Sequence, residues 1–139
     1  MKSRILIAFV SLFWVCGSLS AHHSFAAEYD AEKVFTFEGT VTKLDWTNPH
    51  SRLYLDVKDA KGSVAKWSFE LGGPLTLTRL GWTRDIVKPG DHIKIMGFYS
   101  KDGSKTGNGR TVFLADGRII HSRNGEAKDP AKYKEPAKK

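Results

Sequence analysis

Cysteine is almost absent: the 139 residues include one, Cys16. It falls in a leader-like segment, and the chain beyond it would have no disulfide, no thiol nucleophile and no thiolate-ligated metal. Long apolar runs are missing too. Ile5–Val15 spans eleven residues, whereas a membrane-crossing helix needs about 20. No Gly-x-Ser-x-Gly elbow occurs, and Gly103-Ser104-Lys105-Thr106-Gly107 lacks the spacing of a phosphate-binding loop. The residues indicate no catalytic apparatus. The charge of +7 is also less than it looks. Residues 1–21 carry Lys2 and Arg4, and residues 122–139 carry six Lys or Arg against three Asp or Glu, which leaves +2 for residues 22–121. A body so nearly neutral does not read as a polyanion binder.

What is present begins with that leader. Lys2 and Arg4, the apolar run and the small residues of Cys16–Ala21 have the pattern of a secretory signal. The expectation is an exported, periplasmic protein with no stable membrane insertion once residues 1–21 are removed. Bulky Phe13–Val15 argue against lipid attachment at Cys16.

Residues 22–33 show no clear period. Val34–Trp46 reads as a long strand bent at Gly39, and Thr47-Asn48-Pro49-His50 ends it. Leu53, Leu55 and Val57 alternate with Arg52, Tyr54 and Asp56, as in a half-buried strand. Asp59–Gly62 turns into a return strand, Val64–Leu71. Pro74–Leu80 predicts a short helix with Gly81 as its exit, and His92–Tyr99 another strand. The three glycines of Asp102–Arg110 suggest a flexible loop. Thr111–Ala115 and Arg118–Ser122 read as a hairpin around a two-residue Asp116-Gly117 turn. Three strands, a short helix and further strands follow the order of a mainly β, OB-fold-like Greek-key barrel over residues 34–122, with a split sandwich as the alternative. The Lys-rich tail, 123–139, predicts disorder.

Five histidines carry the chemistry. Cleavage after Ala21 would let the new amine and the His22 ring chelate one metal, with His23 or His50 completing the set. Cleavage after Ser20 would give Ala21-His22-His23, whose amine, two amide nitrogens and third-position imidazole form a square plane suited to Cu(II). The candidate metal ligands are therefore His22, His23 and His50. The plainer alternative is that the His pair only suits processing, and that His50 is a turn residue. His92 alternates with Lys94 as surface, and His121 carries no special signal. Trp46, Trp67 and Trp82 suit a small barrel that needs large fillers. Arg52 and Tyr54, with Trp67, form a candidate face for a periplasmic protein partner or an extended ligand, not for nucleic acid. The tail lysines could also touch anionic envelope surfaces at low salt.

His22-His23-Ser24-Phe25, Gly39-Thr40-Val41 and Trp46-Thr47-Asn48-Pro49-His50 together resemble an uncharacterised family of small exported proteobacterial proteins, a domain of unknown function. Trp67-Ser68-Phe69-Glu70, Leu80-Gly81-Trp82-Thr83-Arg84, Lys88-Pro89-Gly90-Asp91 and Asp116-Gly117-Arg118 extend the likeness over about residues 22–121. The resemblance implies export, a small β fold and a mature chain that starts near the His pair. It implies no activity.

Overall fold

The computed structural model describes residues 25–123. The leader, Cys16, His22, His23 and residues 124–139 lie outside that range. A four-residue helix, α1 (Phe25–Glu28), leads into β1 (Tyr29–Asp45), followed by β2 (Arg52–Lys58) and β3 (Val64–Glu70). Next come α2 (Pro74–Arg79), β4 (His92–Ser100), β5 (Thr106–Phe113) and β6 (Ile119–His121). Hydrogen-bonded pairs run from β1 to β2 to β3, from β3 to β5 in parallel, then through β4 back to β1, which closes a ring. This is the strand order of an OB-type barrel, with α2 between β3 and β4 as the sequence predicts. Closure removes most of the sheet edges that a set of short antiparallel strands would otherwise expose.

The alternation in β2 fills the barrel: Leu53, Leu55 and Val57 are buried, while Arg52 and Tyr54 are half-exposed. Phe35, Phe69, Ile95, Val112 and Trp82 complete the core. Trp46 and Trp67 are partly buried against it. The Trp82 indole N–H donates to the carbonyl of His121 at 2.8 Å, so the indole is satisfied although the ring is buried.

Four local expectations need correction. β1 starts at Tyr29 rather than Val34, because Tyr29 already pairs with Ser100 of β4 before the register shifts. The irregularity against β2 lies between Val41 and Lys43, not at Gly39. Gly39 is needed for a close approach instead, since a Cβ there would stand 2.6 Å from the Asp56 carbonyl oxygen. Thr106–Arg110 is strand, not loop. Gly107 and Gly109 sit where Cβ atoms would meet Phe35, Leu71 and Ile95, so these glycines mark tight packing. Finally, the β5–β6 connection is longer than two residues. Leu114 and Arg118 pair across Ala115-Asp116-Gly117, with Gly117 at φ 87°. Only glycine takes that left-handed conformation without steric cost.

Candidate functional site

One end of the barrel gathers the polar chemistry. The β1–β2 connection runs through a cis Asn48–Pro49 bond to His50. Ser51 then exchanges backbone hydrogen bonds with the end of β3, donating to Gly72 at 3.1 Å and accepting from Leu71 at 2.9 Å. This pairing holds His50 against Glu70, the last residue of β3. The imidazole Nδ1 lies 3.1 Å from the Glu70 carboxylate. The His50 side chain is 44% exposed, and that of Glu70 only 11%.

Two further groups converge on Glu70. The Tyr29 hydroxyl donates to Oε2 at 3.1 Å. Arg123 donates to Oε1 and, at 3.2 Å, to the Leu71 carbonyl. Arg123 arrives there because Ser122 is locked at a junction: its N–H donates to Arg110, its hydroxyl to Gly109, and its carbonyl accepts from Gly72. The carboxylate thus meets a cation, a phenol and an imidazole in a largely dry setting, where an unpaired charge would be costly.

A hollow beside this cluster is lined by Asn48, His50, Thr76, Arg110 and Arg123, among others. The Arg110 guanidinium lies over the rings of Phe25 (4.9 Å) and Phe98 (5.4 Å), so the start of the described chain stands at the edge of the hollow. A second hollow, lined in part by Tyr29, is bordered by Arg52, Lys101 and Asp102. There the Ser100 hydroxyl and the groups of Ser104 hydrogen-bond the Asp102 carboxylate and hold its pKa at about 2.

Burial raises the pKa of the Tyr29 phenol well above its ordinary 10.0, and the charge and hydrogen bond of Glu70 raise it further. The folded phenol holds its proton more tightly than the unfolded one. Its contribution is therefore intact below about pH 10 and lost as pH rises through that value toward the folded pKa. Urea unfolding between about pH 9 and pH 11 should show a shallower decline for Tyr29→Phe than for the parent chain. Parallel declines would mean that the phenol is not held in this way.

The candidates read from the sequence are placed unequally. His50 stands in the cluster. Arg52 and Tyr54 share the outer side of β2, where the Arg52 guanidinium is 3.4 Å from the Ser68 hydroxyl and Lys43 lies over the Tyr54 ring at 5.6 Å. Trp67 does not join them. Its partner across the strands is Leu55, and its ring packs on Phe37, Phe69 and Tyr99 at the inner side. His92 is exposed, and His121 Nδ1 is 3.2 Å from the Thr111 hydroxyl. Among the described residues no three His, Cys, Asp or Glu side chains form a metal-sized group. No described helix is long and apolar enough to cross a membrane.

The sequence did not bring Tyr29, Glu70 and Arg123 together. In the sequence Glu70 stands only as the end of Trp67-Ser68-Phe69-Glu70, and its partners Tyr29 and Arg123 are 41 and 53 residues away.

These features define a small closed β barrel with a histidine–carboxylate–guanidinium cluster at one end. The chain belongs to the Family of unknown function (DUF6152), whose family model matches residues 11–110. No curated protein and no solved structure matches it.

Proposed function

We propose that the chain is an exported metal-binding protein that holds one Cu(II) at this end of the barrel, with the processed N-terminus and His50 as ligands. The observation that carries this reading is the position of His50. A carboxylate beside Nδ1 is the usual support for a metal-ligating imidazole, because it retains the Nδ1 proton and leaves Nε2 as the free lone pair. Reach supports it as well. Phe25 lies under Arg110, which lines the same hollow as His50. His23 and His22 precede Phe25 by two and three residues, at most about 7 and 10 Å of chain.

Charge discriminates between the two possible termini. Arg110 and Arg123 border the hollow and repel a bare dication. A chain starting at Ala21 avoids this, since two deprotonated amide nitrogens neutralise Cu(II) within the square plane of amine, amides and His23. His50 would then supply a further nitrogen donor. A chain starting at His22 keeps the full charge and relies on His23 and His50 as further donors.

Intact mass of the protein exported under its own leader, without an N-terminal tag, identifies the first residue. Cu(II) titration followed by the d–d band should then show one-to-one binding that disappears in His23→Ala for the Ala21 start. His50→Ala should weaken binding about tenfold or more, the scale seen when a metal site loses supporting interactions. Equal affinity for the mature chain and for the same chain with its α-amine acetylated would eliminate the terminal amine as a ligand. Unchanged affinity in His50→Ala would remove the barrel from the site.

The second reading is a non-catalytic module that grips a periplasmic protein or extended ligand through the barrel face. It is favoured by Arg52 and Tyr54, which stand together on the outer side of β2.

A further inference from the structure

Next to the Glu70 cluster, the outer face carries a feature that does not depend on metal. Strand register sets Arg52 of β2, Glu70 of β3, Asn108 of β5 and Phe98 of β4 in one row. Cβ atoms at Gly107 and Gly109 would point into the core, so alternation sends Asn108 to the opposite, outer face. Yet Asn108 is only 1% exposed.

The chain's own N-terminal segment reaches both neighbours of Asn108 in this row. Phe25 packs edge-on to Phe98 with ring centroids 5.4 Å apart, and Tyr29 bonds Glu70, so the segment is anchored at both flanks of Asn108. Lys101 ties it down further through the carbonyls of Ala26 and Glu28. Between the anchors stand Ala26 and Ala27, which have no polar side chain to offer, and Glu28, which borders the neighbouring hollow. Both amide atoms of Asn108 are buried with no hydrogen-bond partner among the described residues. Such an amide works against the closed arrangement and favours any occupant able to pair with it. Beyond Tyr29 the pairing with β4 lapses until Val34, and residues 31–33 are exposed, which gives the segment a hinge.

We propose that this row is a groove for a short peptide from a partner protein, filled in the present state by residues 25–29, of which Phe25–Glu28 form α1. The favoured peptide places an aromatic ring on Phe98, an amide side chain opposite Asn108 and a hydroxyl donor toward Glu70.

The test uses the full mature chain with His22→Ala and His23→Ala, so that its outcome is separate from that of copper binding. The probes are fluorescent Ser-Phe-Ala-Ala-Glu-Tyr-Asp and the same peptide with asparagine as its fourth residue. Phe25→Ala should raise affinity for the asparagine peptide at least tenfold by loosening the chain's own segment. Adding Asn108→Leu should erase the preference between the peptides. In the otherwise unsubstituted chain, Asn108→Leu should raise Tm, whereas a purely structural amide would lower it. Equal binding of both peptides, a lowered Tm, or exchange of the segment into a dimer of this chain would overturn the proposal. Should Phe25→Ala not fold, hydrogen exchange at the Lys101 amide of the parent chain decides. Faster exchange on adding peptide supports displacement of the segment, and unchanged exchange overturns it.

Discussion

Replacing Glu70 by alanine should destabilise the folded chain by about 3 kcal/mol or more, the range for breaking a buried ion pair on one side. For a domain of about 100 residues this corresponds to a fall in Tm of about 15 °C. The magnitude follows from the number of groups that lose their acceptor. Arg123 would keep its charge beside the Leu71 carbonyl with no carboxylate, the buried Tyr29 hydroxyl would lose its partner, and His50 would lose the group beside Nδ1. Glu70→Gln should fall between the two, since an amide oxygen still accepts from Tyr29 while the charge is gone. Copper affinity in Glu70→Gln should drop about tenfold, as happens when the partner of a ligating imidazole is removed. A thermal melt within about 1 °C of the parent would show that the cluster carries no such energy.

Gly97→Ala should be at least as damaging, by about 3 kcal/mol, through overpacking rather than lost charge. A Cβ at Gly97 would stand 1.9 Å from the Asn108 carbonyl oxygen and 2.8 Å from the Phe35 ring. The oxygen belongs to the backbone of β5, directly across the β4–β5 pairing, and cannot rotate away. Relief would require β4 and β5 to separate where the register already shifts between Met96 and Gly97. Gly62→Ala is the contrast. No atom lies within 4 Å of the position a Cβ would take, so only the strain of its φ of 83° remains. Denaturant unfolding of the two variants should differ by about 2 kcal/mol or more. Equal losses would mean that contact distance at Gly97 does not govern the cost.

The strand alternation of Arg52–Lys58 was legible because it depends on side-chain period alone, and a half-buried strand shows that period wherever it stands. Pro74 and Gly81 likewise announced α2 and its exit from local backbone chemistry. The order of these elements was enough to suggest the closed barrel. The glycines of Thr106–Arg110 misled, because the absence of a side chain looks the same in sequence whether it permits motion or close packing. Only the opposing Phe35 and Leu71 distinguish the two. The placement of Trp67 also required the ring of strands to exist, since β3 carries it inward while its neighbour Tyr54 on β2 faces out.

By itself, then, the sequence determined the local periods, the turns, the element order and the histidines available for chemistry, all of which follow from residues close together along the chain. The tertiary structure decided which His stands beside a carboxylate, what neutralises that carboxylate and what flanks Asn108. Tyr29, His50, Glu70 and Arg123 meet only because barrel closure brings β1, the β1–β2 connection, β3 and the residues after β6 to one end. The strength of their interactions depends on the exclusion of water at that junction, and no single segment of the chain encodes it.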